Sequence, residues 1–120
     1  LSSLPITTPH QASDTYSSYH LYPIRVIGAE SGKTQRQVYD ALWQNGVAAN
    51  LHYIPVHRQP YYEKLGFKAG DFPESEQFHR EVISLSMYQS LSVSQEAVIK
   101  ILVDTLNTQA IDKEKNEKIH

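Results

Sequence analysis

The stretch YHLYPIRVIGAESGKTQRQVYDALWQNGVAANLHYI, Tyr19 to Ile54, decides the fold class. Its first part, Tyr19 to Ile27, is rich in β-branched and aromatic residues and predicts a strand. Pro23 places that strand at an edge or a bulge, because proline has no N–H to give to a ladder. The polar turn GAESGK follows, and then a helix begins. Thr34 and Gln37 have the spacing of a capping box, and Val38, Ala41 and Leu42 give an apolar stripe. Gly46 suits the C′ position, where a left-handed backbone closes a helix. Val47 to Ile54 predicts a second strand.

Outward from this unit, YYEKLG predicts a helical turn. DFPE predicts a further helix with Asp71 near the N-cap and Pro73 in its first turn, and Phe78 and Val82 on one face. Val82 to Met87 then passes into a short strand. Ser92 and Gln95 have capping-box spacing, and Val98, Ile101, Leu102 and Leu106 follow at helical intervals. The order β-α-β-α-β-α predicts a small two-layer α/β sandwich of about three strands with three to four helices. Sheet direction is not readable from this pattern.

The 120 residues suffice for one domain. There is no cysteine, which excludes disulfides and thiolate metal sites. A net charge of −2, with basic residues scattered, argues against nucleic acid. No secretory segment or long apolar run is evident, so no membrane association and a cytoplasmic location are expected. Residues 1–18 are rich in Ser, Thr and Pro and read as a linker, and the chain begins without Met, so a piece of a longer protein is expected. Residues 19–108 form the organised domain, and 109–120 read as a disordered charged tail.

Three motifs invite a chemical reading. GAESGKT, Gly28 to Thr34, stands where a phosphate loop would, but only three residues separate its glycines, so a tight turn into a capped helix fits better. His52 and His57 are five apart and would point to opposite sides of an extended segment, with no third ligand at useful spacing, so no metal is expected. The serines show no nucleophile motif. The dense cluster LHYIPVHRQPYY, Leu51 to Tyr62, remains. It is either a surface loop packed on its tyrosines or a loop that binds an anionic, hydroxyl-rich ligand, and composition leaves both open.

HLYPIRV (His20 to Val26), HYIPVHRQPYYEKLGF (His52 to Phe67), GDFPESEQF (Gly70 to Phe78) and SLSMY (Ser84 to Tyr88) resemble, in order and spacing, the C-terminal domain of the DegT/DnrJ/StrS family. The likeness runs from about Leu4 to Leu106. It is nearest to the branch that makes UDP-4-amino-4,6-dideoxy-N-acetyl-β-L-altrosamine on the way to pseudaminic acid. The resemblance implies the small domain of an aspartate-aminotransferase-like, fold type I enzyme that uses pyridoxal 5'-phosphate (PLP) to aminate a nucleotide-linked keto-sugar. It further implies a homodimeric parent and a separate N-terminal domain holding the cofactor and its Schiff-base lysine. None of the chain's seven lysines matches that lysine segment, so no catalytic or cofactor-binding residue is expected here, and the chain should be inactive alone.

The same resemblance assigns substrate binding to His57, the second histidine of the H-Y-x-P-x-H motif, with Tyr53, Arg58 and Tyr61 flanking it. A stand-alone sugar-nucleotide-binding or regulatory module descended from such a domain is the other reading. The chain departs from the family at Ser86 and Gln89, where prolines usually flank the Met-Tyr pair, which frees φ at two sites.

Overall fold

The computed structural model describes residues 4–85 and 92–117, with side chains of the last helix described through residues 95–107. The described elements are β1 (Ile6–Thr7), β2 (Tyr22–Val26), α1 (Gly28–Ser31), α2 (Gln35–Gln44), β3 (Ala49–Asn50), a 3₁₀ turn (Val56–Arg58), α3 (Pro60–Lys64), α4 (Pro73–Glu81), β4 (Val82–Leu85) and α5 (Ser92–Glu117). The sheet order is β1-β2-β4-β3, and every neighbouring pair is antiparallel. Because β2 and β3 both oppose β4, they run parallel to each other, with β4 inserted between the two ends of the β2-α2-β3 unit. Four described strands and five helices thus build the small α/β sandwich.

Alternation along the strands selects one sheet face for the core. Ile24 and Val26 on β2, Ile83 and Leu85 on β4 and Ala49 on β3 are buried against Val38 and Leu42 of α2 and Leu102 and Leu106 of α5. Val98 and Ile101 pack beside them half-buried, so the predicted stripe of the last helix does face the sheet. Val82 and Ser84 point the other way yet are also buried, which marks β4 as the central strand.

Local chemistry explains the borders. The capping box at α2 is complete: Thr34 Oγ1 accepts from the Gln37 N–H, and Gln37 accepts from the Thr34 N–H. Gly46 at φ 79° closes the helix, its N–H bonded to the Trp43 carbonyl. GAESGK forms the one-turn α1, ended by Gly32 at φ 66°. β2 starts at Tyr22 rather than Tyr19, because Tyr19 is in the left-handed region at φ 47° and interrupts any extended run. Pro23 faces Ser84 of β4, while β1 reaches only Arg25 and Val26, so the proline lies where β2 has no second partner.

Several expectations are corrected. The second strand is Ala49–Asn50, not Val47 to Ile54. Pro55 cannot donate to a ladder and Val56–Arg58 closes into a 3₁₀ turn, so the chain leaves the sheet edge. His52 and His57 therefore do not lie on opposite sides of a strand. At α4, by contrast, Asp71 does stand next to the N-cap and Pro73 opens the first turn as expected, with Phe72 at the cap itself without a side-chain bond and Asp71 accepting the Lys68 N–H. Phe78 and Val82 share no helical face, since the helix ends at Glu81 and Val82 opens β4.

Within the 1–18 stretch, Ile6–Thr7 pairs with β2, and α5 runs on past Thr108 to Glu117. The Ser86 and Gln89 positions and the side chain of Ser92, one half of the expected Ser92–Gln95 capping box, lie outside the described residues.

Candidate functional site

Leu51 to Tyr62 leaves the sheet edge and folds across α4. Pro55 is buried ahead of the 3₁₀ turn, and Pro60 takes the first position of α3, where a missing N–H costs nothing. Two prolines thus set the path on either side of Val56–Arg58.

His57 lies inside this turn, only 6 % exposed. Its ring packs on Phe72 with centroids 4.9 Å apart, and its Nε2 lies 3.6 Å from Glu76 Oε1. That distance is an ion-pair approach rather than a hydrogen bond, and Nε2 has no hydrogen-bond partner. Arg58 donates from Nε to Glu63 at 3.0 Å and brings a terminal guanidinium nitrogen to 3.5 Å from the same Glu76 oxygen. The hydrogen bond to Glu63 is the main reason its pKa is raised further, with the nearby carboxylate charges adding to it.

Glu76 accepts the Gly70 N–H at 2.8 Å with its other oxygen. That bond is the main reason the Glu76 carboxyl lies below its ordinary value despite desolvation, with the approach of His57 and Arg58 adding to it. Tyr53 and Tyr61 behave differently. They are 76 % and 67 % exposed, and each rests edge-on against its neighbour, His52 and Tyr62 respectively.

The four residues singled out from the sequence thus divide. His57 and Arg58 meet on one carboxylate, whereas Tyr53 and Tyr61 offer open ring faces nearby. Sequence reasoning missed Glu76 and Glu63. Glu76 stood inside the quoted GDFPESEQF segment, but its partners come from another loop, and only the fold joins them.

Two clefts flank the 3₁₀ turn. One, of about 510 Å³, is lined by Ile54, Pro55, Arg58, Glu63, Glu76, His79 and Arg80. The other, of about 290 Å³, is walled by Val56, His57, Tyr62, Phe67, Phe72 and Ser75. Neither is lined by a lysine among the described residues. Among the described residues no group of three or more His, Asp or Glu could bind a metal, and no helix is long and apolar enough to cross a membrane.

Comparison with known proteins gives this geometry its context. The sequence profile of the DegT/DnrJ/EryC1/StrS aminotransferase family matches residues 1–103. The chain belongs to that family. It is 34 % identical over 89 residues to the spore coat polysaccharide biosynthesis protein SpsC of Bacillus subtilis, covering 72 % of this chain and 23 % of SpsC. It is 30 % identical over 105 residues to UDP-4-amino-4,6-dideoxy-N-acetyl-beta-L-altrosamine transaminase of Helicobacter pylori, covering 87 % and 27 %.

Among solved structures, the PLP form of the sugar aminotransferase Spr1654 from Streptococcus pneumoniae superposes with a TM-score of 0.69 at 27 % identity, over 88 % of this chain and 26 % of that one. The fold is therefore that of part of an aminotransferase of this family. The chain spans about a quarter of the length of the relatives it matches.

Proposed function

We propose that this chain is the C-terminal, substrate-closing domain of a PLP-dependent transaminase that aminates a nucleotide-linked keto-sugar for surface polysaccharide or pseudaminic acid biosynthesis. Its partner in that role is a large N-terminal domain that holds PLP, within a homodimeric parent, and the chain alone is inactive. The observation that carries this reading is the wall built by Leu51 to Tyr62. It carries a buried imidazole and a more open guanidinium, both close to Glu76, beside two open tyrosine rings.

Such a wall suits a sugar nucleotide. A guanidinium matches phosphate oxygens in fork geometry, tyrosine rings stack on sugar or base faces, and an imidazole bonds a hydroxyl or phosphate in either protonation state. What the wall supplies to the reaction is position. A keto carbon held in one place over the cofactor reacts as if at very high local concentration. PLP itself supplies the electron sink for amino transfer. No lysine among the described residues lines either cleft, which supports placing that chemistry in the large domain.

The names of the relatives support the substrate class: one acts in spore coat polysaccharide synthesis and another is a UDP-amino-sugar transaminase. Titration of the ¹⁵N-labelled chain with UDP-N-acetylglucosamine tests the wall. Amide shifts confined to residues 53–61 and the adjoining clefts are expected. Shifts scattered over the sheet, or none at all, would overturn the reading.

A further inference from the structure

Glu76 stands behind the candidate wall and joins three of its parts. One carboxylate oxygen faces His57 Nε2 at 3.6 Å and Arg58 at 3.5 Å, and the other accepts the Gly70 N–H at 2.8 Å. The Glu76 side chain is only 13 % exposed, so its approach to the buried His57 is shielded from much of the solvent screening that weakens surface pairs, whereas Arg58 is more open. His57 Nε2 is buried with no hydrogen-bond partner, and the carboxylate is the charge it faces. Phe72 closes the other side of the ring. Arg58 has a second anchor in Glu63, whereas His57 has no other acidic partner among the described ion pairs.

We propose that Glu76 is a positioning residue for the sugar-nucleotide wall: it fixes the His57 ring and, with Glu63, the Arg58 guanidinium, so that both meet the substrate already oriented. This deepens the function proposed above and rests on that reading of Leu51 to Tyr62. The physical reason is preorganisation. A binding group whose orientation is locked by a neighbour loses less freedom when its ligand arrives. The hydrogen bond from Gly70 lowers the carboxyl's pKa and ties the 67–71 loop to the same point.

Glu76→Gln separates orientation from shape and from simple charge. The amide keeps the volume and an acceptor for Gly70 but loses the charge that draws His57 and Arg58. Deleting a negative charge beside a diphosphate should, on charge alone, tighten binding. Weaker binding therefore reports lost orientation.

The expected result has three parts. Core methyl signals and the Gly70 amide stay in place, the nuclear Overhauser contacts between the His57 and Phe72 rings are lost, and the Kd for UDP-N-acetylglucosamine rises at least about threefold. His57 ring contacts equal to wild type, or a Kd that is unchanged or lower, would overturn the proposal. If the wild-type chain itself fails to bind the nucleotide sugar, the wall reading fails. The ring contacts, measured without ligand, then decide alone whether Glu76 orients His57.

Discussion

The sheet with its two long helices and the lobe from Leu51 to Glu81 hold together by different physics. In the first, Ile24, Ile83, Leu42 and Leu102 are fully buried, and their removal from water supplies the stabilisation. In the second, the approach of His57 and Arg58 to Glu76 and two prolines fix the path, while Tyr53, Ile54, Val56, Tyr61 and Leu65 stay exposed. Exposed apolar groups gathered in this way are what the proposed contact surface would present. The core thus serves as the platform and the lobe as the working edge.

The comparison breaks most visibly at the core. Leu102→Ala should destabilise the chain by about 2–5 kcal/mol, because it leaves a cavity between α5 and the sheet. Denaturant unfolding measures this, and a loss under about half a kcal/mol would mean that α5 does not rest on the sheet. Thr34→Ala should cost less, about 0.5–2 kcal/mol, since it removes one half of the capping box of α2. Tyr61→Ala, on the lobe, should change stability by no more than about 0.5 kcal/mol. A larger loss in the same unfolding experiment would make Tyr61 part of the platform.

Acid should loosen the lobe before the core. The Glu76 carboxyl has a depressed pKa in the folded chain, so its anchoring contribution is fully present above the ordinary glutamate range. It is lost as the pH falls through the depressed value. His57 and Phe72 ring signals followed by NMR during acidification should shift in that window while the Leu102 and Ile83 methyls stay fixed. Simultaneous movement of both sets would erase the distinction between the regions.

The sequence made the platform legible where local chemistry decides it. The Thr34–Gln37 box, Gly46 and the α5 stripe act within a turn or two of chain, so their spacing reveals them. β1 did not show, because two residues in a Ser-, Thr- and Pro-rich stretch become a strand only by pairing with Arg25 and Val26. The antiparallel insertion of β4 between β2 and β3 also depends on distant contacts and leaves no local signature. In the lobe, the motif carrying His57 and Arg58 was visible, yet the burial of His57 and its approach to Glu76 were not. Alternation along an extended strand gave a wrong geometry there, because the 3₁₀ turn replaces the period of two with a tighter one.

The central claim is that Leu51 to Tyr62 forms one wall of a sugar-nucleotide site completed by a large PLP-bearing domain. It is tested most directly by grafting this chain in place of the matching quarter of the Helicobacter pylori transaminase and measuring kcat/KM, with and without His57→Ala. The graft should turn over, and the variant should lose the equivalent of about 1–3 kcal/mol, with the cofactor spectrum unchanged and the graft still folded. A folded, PLP-loaded graft without turnover, or one whose kcat/KM ignores the loss of His57, would contradict it.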